Sequence, residues 1–206
     1  SFNFEKDDGF GEAASFTSGG EVDLAEEYSS RPDVGEYKFA YIEIKNTFDV
    51  KASYGPIGDA ARTTYFTNGT ITEAGTVTGA SITPTDSDGY VTTEAPLTTF
   101  GFLDGGGQVC EATGEESVTG GTIRAYLLDS SDNLIAADSS VEECSGVTKL
   151  LGIMQLDEAV EITSSTTSVK TTFKVENNGT SVVYDDVADG IRFDSGPFSV
   201  SFETSE

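Results

Sequence analysis

Short runs of alternating apolar and polar residues recur along this chain, separated by turn-forming residues. From Tyr37 to Lys45, the aromatic residues Tyr37, Phe39 and Tyr41 take every second position. Lys38, Ile42 and Ile44 fall on the other side of the same run, in a less regular pattern. A period of two residues is the period of a β-strand, in which successive side chains point to opposite faces. The run therefore predicts a strand, and Val169–Glu176 predicts a second by the same alternation.

The second half of the chain contains a predicted hairpin. Thr122–Leu128 and Asn133–Ala137 are both apolar and are joined only by Asp129–Asp132. Asp and Ser stabilise tight turns because their side chains bond to nearby backbone groups. Fragments of calcium-binding loops also contain such residues, but the full loop pattern with its terminal Glu is missing, so a simple turn is favoured.

Two Asn-Gly pairs predict further hairpins, because Asn and Gly tolerate the positive φ of tight hairpin turns. Asn68-Gly69 separates Thr63–Phe66 from Thr70–Thr72, and Asn178-Gly179 leads into Ser181–Tyr184. Both pairs are followed by Thr, so Asn68 and Asn178 also match the acceptor pattern for N-glycosylation.

One stretch, Val147–Leu156, has a spacing that fits a helix. Leu150, Leu151 and Met154 would share a helical face, although Gly152 and the β-branched neighbours oppose a helix. The rest of the pattern predicts an all-β fold, a jelly-roll barrel or β-sandwich of about eight to ten short antiparallel strands. We expect a single β-barrel domain over residues 36–206.

Residues 1–35 are predicted to form a partly extended N-terminal arm rich in Gly, Glu and Ser. Its aromatic residues are Phe2, Phe4, Phe10 and Phe16. One interpretation is a flexible terminus. The other is an assembly arm that docks these rings into a neighbouring subunit or into its own barrel, since isolated rings would otherwise remain as exposed apolar area.

The charge of the chain indicates where it works. Its 206 residues include 36 Asp plus Glu and 11 Lys plus Arg, a net charge of -25, and no His. Such an excess destabilises a compact state by self-repulsion, and at 1 M salt the Debye length falls to about 3 Å. We therefore expect a protein of brine. The acidic balance argues against nucleic acid as a partner, since the phosphate backbone is bound by cations.

The residue types also bear on catalysis. Without His, every site that needs an imidazole as base or metal ligand is excluded. The carboxylates fall mainly in predicted loops and on polar strand faces, and without Trp the chain lacks the usual sugar platform of a glycosidase. We expect no enzyme, no cofactor and no metal site.

Two cysteines, Cys110 and Cys144, lie outside the two ends of the predicted hairpin. If the strands extend outward, the sulfur atoms come within reach of a disulfide. A bridge is favoured over two free thiols for a protein that matures outside a reducing cytosol. No run approaches the roughly 20 apolar residues that span a bilayer, and residues 1–10 contain no signal-peptide core.

A family resemblance runs through roughly the last 90 residues. It rests on Gly121–Asp129, Asp132–Ala136, Val169–Val175 and Asp189-Gly190-Ile191, a hairpin around an Asp-rich turn followed by a Thr-rich strand and an Asp-Gly-hydrophobic step. This order resembles β-structured virion proteins. With the charge, it is most similar to the small major capsid proteins of halophilic archaeal icosahedral viruses that have an inner membrane.

The resemblance implies a single upright jelly-roll barrel without an active site, located in the virion. Its implied partners are copies of itself, a partner capsid protein and the inner viral membrane, and it carries over no site residues. The alternatives are a decoration, spike or tail protein, or a cell-surface or pilus-like β-sandwich on the extracellular surface of a halophile. An enzyme acting on carbohydrate is the remaining hypothesis.

Overall fold

A computed structural model of the chain describes residues 32–57, 63–73, 76–80, 91–102, 108–174, 180–185, 190–195 and 199–206. These residues form fifteen strands and contain no helix. The predicted all-β fold is thereby confirmed, with more strands than the eight to ten expected. The four Phe residues of the predicted arm and Asn178 lie outside the described residues.

The strands are short, and all their pairings are antiparallel. In chain order they are β1 (Gly35–Lys45), β2 (Thr47–Val50), β3 (Ser53–Ile57), β4 (Thr63–Glu73), β5 (Thr76–Ala80), β6 (Thr93–Pro96), β7 (Gly101–Phe102), β8 (Gln108–Val109), β9 (Thr113–Val118), β10 (Gly121–Leu128), β11 (Lys149–Ile162), β12 (Ser168–Lys174), β13 (Thr180–Asp185), β14 (Gly190–Ser195) and β15 (Ser199–Ser205).

Two larger sheets and three strand pairs make up the fold. The first sheet has four strands in the order β1-β11-β10-β9, and the second has five in the order β13-β14-β5-β4-β3. The pairs are β2 with β6, β7 with β8, and β12 with β15. Neighbours in the sheets are often distant in sequence, as in β-sandwich and jelly-roll architectures.

The chain passes from the four-stranded sheet to the β2–β6 pair at a single buried residue, Asn46. Its backbone N–H donates to the Thr148 carbonyl at 3.2 Å, and its own carbonyl accepts from the Leu97 N–H at 2.7 Å. Its Nδ2 atom donates to the carbonyls of Leu97 at 3.3 Å and Val147 at 3.4 Å. A buried side chain thus holds three segments together where one strand changes sheet.

Two clusters of buried side chains form the core. One contains Val50, Tyr65, Ala95, Ile191 and Phe193, and joins the five-stranded sheet to β2 and β6. The other contains Cys110, Ala112, Leu127, Cys144 and Leu150, and lies against the four-stranded sheet. Phe48 packs against both clusters and links them.

Two threonines that are fully buried, Thr67 and Thr99, tie loops to strands. The Thr67 hydroxyl donates to the Val91 carbonyl at 2.6 Å. The Thr99 hydroxyl donates to the Val109 carbonyl at 2.5 Å and accepts from the N–H groups of Gly101 and Glu111. Each polar side chain is buried with its hydrogen bonds made, which avoids the cost of an unsatisfied group.

The predicted hairpin at Asn68-Gly69 is wrong. Both residues lie inside the continuous strand β4, which pairs with β3 on one side and β5 on the other. The register against β5 shifts between Thr67 and Ile71, and Gly69 has a φ of 88°. The positive φ that the sequence suggested is present, but it serves a β-bulge and not a turn.

The predicted hairpin across Asn178-Gly179 is also wrong. The strand before it, β12, pairs with β15, whereas the strand after it, β13, pairs with β14. The two strands therefore belong to different sheets. The Asn-Gly pair correctly lies between two strands, β12 and β13. Local turn chemistry does not show that these two strands pair with other strands and not with each other.

The stretch Val147–Leu156 is not helical, since from Lys149 onward it belongs to β11. Leu150 and Met154 are buried, while Leu151 and Ile153 are half-buried on the opposite face. A spacing of four residues fits a strand with period two as well as a helix. The β-branched residues and Gly152 decide in favour of the strand.

The hairpin predicted from Thr122 to Ala137 is present only at its tip. The Ile135 N–H donates to the Leu127 carbonyl at 3.0 Å, and Leu128 faces Leu134 in an isolated bridge. Beyond that, β10 pairs with β9 and β11, so Asn133–Ala137 does not form a full strand.

Candidate functional site

Cys110 and Cys144 form a disulfide whose Cα atoms are 4.6 Å apart. Both residues are buried in the second core cluster. The Cys110 N–H donates to the Val141 carbonyl at 2.8 Å, and the Cys144 N–H donates to the Thr98 carbonyl at 3.1 Å. The bridge fixes the segment between β10 and β11 to the segment between β8 and β9, which is a structural role.

The Asp-rich turn is held by its own hydrogen bonds. The Oδ1 atom of Asp129 accepts from the N–H groups of Ser131 at 2.8 Å and Asn133 at 2.9 Å. The Nδ2 atom of Asn133 donates to the same carboxylate, and these bonds lower the pKa of Asp129. Asp132 has a φ of 64°. Among the described residues, no group of three carboxylate or cysteine side chains is arranged to hold a metal ion.

Lys149 at the start of β11 connects this turn to β1. Its Nζ atom lies 2.8 Å from Glu43 and 2.5 Å from Asp132, and its side chain is only 14% exposed. The hydrogen bonds that its ammonium group donates to Asp132 and Glu43 raise the pKa of Lys149. One of the few cations in the chain therefore has a structural position.

The proposed glycosylation residue Asn68 is half-buried within β4. In the sheet, β4 lies between β3 and β5. Asn68 is not at the tip of a hairpin, where the sequence placed it.

One face of the four-stranded sheet, which we call the outer face, exposes aromatic side chains. Cross-strand neighbours on this face form three rows from β1 to β9. The rows are Phe39, Gln155, Thr122 and Ser117; Tyr41, Ile153, Arg124 and Glu115; Glu43, Leu151, Tyr126 and Thr113. Phe39 is 62% exposed and Tyr41 is 54% exposed.

At one end of the sheet, the opposite face packs on the core. Ile44, Leu150 and Leu127 are cross-strand neighbours there. Leu127 and Leu150 belong to the second core cluster, and Ile44 packs against it. The core cluster contacts the face of β1 that carries Ile44. Because Phe39 and Tyr41 point to the opposite face, their rings are not packed in this cluster. Phe39 and Tyr41 are therefore left on the solvent side of the sheet.

A shallow depression of about 510 Å³ lies on the outer face. Its lining combines aromatic, aliphatic and polar groups, namely Phe39, Glu115, Thr122, Arg124, Tyr126, Ile153, Gln155, Leu156 and Asp157. Arg124 forms an ion pair with Glu115 at 2.5 Å, and the hydrogen bond and charge of that carboxylate raise the pKa of Arg124. With its cation already paired, the depression is suited to shape and apolar contact more than to binding an anion.

Alternation along Tyr37–Lys45 puts Phe39 and Tyr41 on one face of a strand but does not assign that face to solvent. The signal was available, because Ile42 and Ile44 make the other face of β1 apolar too. A strand that is apolar on both faces belongs either to a sheet covered on both sides or to a sheet with an uncovered contact surface.

Comparison of the chain with protein-family models, curated proteins and solved structures finds no match. In the part of the chain that the structure describes, no helix has the length and apolar character needed to cross a bilayer.

Proposed function

We propose that this chain is a structural subunit that assembles in concentrated salt, with copies of itself and a partner protein, into the shell of a virion. The observation that carries the proposal is the outer face, where Phe39 and Tyr41 are more than half exposed. Contiguous exposed apolar surface is typical of protein interaction sites.

The net charge of -25 supports the same proposal. In dilute buffer, two copies repel each other over a Debye length of about 10 Å at 0.1 M salt. In molar salt this repulsion is screened, while the burial of aromatic side chains is retained or strengthened. A contact built from rings and backbone hydrogen bonds is therefore suited to an acidic protein in brine.

The virion role rests on the resemblance of the second half to capsid proteins of halophilic archaeal viruses. The disulfide is consistent with a particle that matures or persists outside a reducing cytosol. It also favours a second candidate, a β-sandwich on the outer surface of a halophile, because such a protein meets the same oxidising conditions.

Light scattering coupled to size-exclusion chromatography, from 0.1 to 3 M NaCl, tests the proposal. A shell subunit forms oligomers that grow with salt, and Phe39→Ser reduces them. Leu134→Ser is the matched control, since Leu134 is 65% exposed but belongs to none of the three rows of the outer face. Equal assembly by both variants removes the outer face from the contact.

A monomer that does not respond to salt contradicts the shell role. In that case, mass spectrometry of the native protein for glycans on Asn68 or Asn178 tests the cell-surface alternative.

A further inference from the structure

In the part of the chain that the structure describes, β1 is an edge of the four-stranded sheet and has no strand paired on its outer side. It is eleven residues long, and within the described residues its only ladder partner is β11. A long uncovered edge presents a row of backbone donors and acceptors that can pair with another strand. The second edge of this sheet, β9, has six residues.

The direction of the free backbone groups follows from the ladder. Lys45 lies directly opposite Lys149, so the next opposite pair is Asn46 and Thr148. In that pair, the Asn46 N–H donates to the Thr148 carbonyl, so Asn46 directs its N–H toward the β11 side. Alternate residues of an antiparallel strand direct their N–H and C=O to opposite sides. Even-numbered residues from 40 to 44 therefore bond to β11, whereas Phe39 and Tyr41 direct theirs to the open edge.

Charge distinguishes the two edges. The sequence of β1 contains two Glu and two Lys, so this strand is neutral in a chain of net charge -25. The sequence of β9 contains two Glu and no cation. Two copies of the chain therefore meet less like-charge repulsion along β1 than along β9. The middle of β1 also lacks the proline that natural edge strands use against pairing.

We propose that a second copy of this chain pairs its β1 antiparallel with this β1, about a two-fold axis at Ala40. When the axis is perpendicular to the sheet, the outer faces of both copies lie on the same side of the joined sheet. Odd-numbered residues of one copy then lie opposite odd-numbered residues of the other. Centring it on Ala40 places Phe39 opposite Tyr41 of the other copy, twice. The two outward-facing residues then exchange backbone hydrogen bonds across the new ladder.

This pairing joins two four-stranded sheets into one sheet of eight strands. The rings of Phe39 and Tyr41, exposed in the single chain, become cross-strand neighbours on the outer face. Within the proposed assembly, β1 of a second subunit is thus the first contact. This pairing rests on the proposed function only in the identity of the partner, which is taken to be another copy of the chain.

A single cysteine at the axis tests the geometry. Directly opposite residues in a non-hydrogen-bonded antiparallel pair have Cα atoms about 4.5 Å apart, within the range of a disulfide. The two native cysteines are already joined. We expect Ala40→Cys to yield a covalent dimer when an oxidant is added in 3 M NaCl, and Ser117→Cys, exposed on β9, to stay monomeric. If Ala40→Cys remains monomeric while the protein associates, the proposed pairing is wrong.

A proline tests the backbone contribution separately. Because the Tyr41 N–H points away from β11, Tyr41→Pro leaves the internal ladder intact and is tolerated on an edge strand. Tyr41→Ser removes the same ring but keeps the donor. We expect the dimer dissociation constant of the proline variant to exceed that of the serine variant by about tenfold or more, with unchanged circular dichroism. Equal constants overturn strand pairing.

The two proposals fail differently. Salt-dependent assembly without the Ala40→Cys cross-link eliminates the β1 pairing and leaves the shell role standing. A cross-linked dimer that never grows with salt supports the β1 pairing and contradicts the shell role.

Discussion

Asn46 and Leu97 exchange two hydrogen bonds, one from the Leu97 N–H to the Asn46 carbonyl at 2.7 Å and one from Asn46 Nδ2 to the Leu97 carbonyl at 3.3 Å. The residues are 51 positions apart in sequence. They join the strand that changes sheet to the segment after β6. The side chain of Asn46 thus replaces ladder hydrogen bonds that neither sheet can supply at this point.

Replacing Asn46 by Ala removes its side-chain bonds to Leu97 and Val147 in a buried position. Buried carbonyls left without a donor cost about 1–3 kcal/mol of unfolding free energy. Denaturant unfolding in 3 M NaCl measures the loss. Gln155→Ala, an exposed change on β11, is expected to stay within about 0.5 kcal/mol of the parent. An equal effect of both substitutions contradicts the role of Asn46.

Removing the disulfide destabilises the fold. Cys110 and Cys144 are 34 positions apart. By chain-entropy arguments, closing a loop of this length stabilises the folded state by about 3–4 kcal/mol. We expect reduction to lower the melting temperature in 3 M NaCl. The double variant Cys110→Ala/Cys144→Ala melts at a low temperature with or without reductant. A reductant effect in that variant would show that the shift has another source.

The Asp129 turn makes stability depend on acid. The pKa of Asp129 is lowered in the folded protein by hydrogen bonds from Asn133 and Ser131, while the unfolded value is about 3.9. The unfolded state therefore takes up the proton first. The contribution of this turn is complete above about pH 4 and is lost as the pH falls through the folded pKa.

Asp129→Asn keeps an acceptor in the turn but does not titrate. We expect its melting temperature to fall less steeply than that of the parent below pH 4. Asp49→Asn, an exposed change on β2, matches the change in net charge. Parallel curves for the parent and Asp129→Asn would contradict the linkage.

Salt is expected to stabilise the monomer as well as its assemblies. With a net charge of -25, self-repulsion falls as the Debye length shrinks from about 10 Å at 0.1 M to about 3 Å at 1 M. The melting temperature should rise steeply over this range of NaCl and more slowly above it. Sucrose at matched concentrations strengthens burial without screening charge, and it serves as the control. A sucrose effect as large as that of NaCl would contradict screening as the cause.

The sequence predicted the fold class because alternation and turn residues are local properties. Alternation predicted strands at Tyr37–Lys45 and Val169–Glu176, and these correspond to β1 and to β12, which the structure describes as Ser168–Lys174. Pairing was not predictable, because it depends on which strands share a core. The bulge at Gly69 and the hairpin turn expected there require the same positive φ, so local chemistry could not distinguish them. The exposure of Phe39 and Tyr41 depends on which side of β1 the second core cluster occupies.

The pairing of β1 with β11 also means that β1 is synthesised long before its partner strand. Each paired residue of β1 has its partner more than one hundred positions later, from Gly35 with Ile162 to Lys45 with Lys149. Cys110, Cys144 and the turn at Asp129 lie between these two strands in sequence, so they are synthesised after β1 and before β11. The emerging chain must therefore keep an eleven-residue strand with Phe39 and Tyr41 unpaired until β11 is made, and this interval is when crowding by sister chains is most harmful.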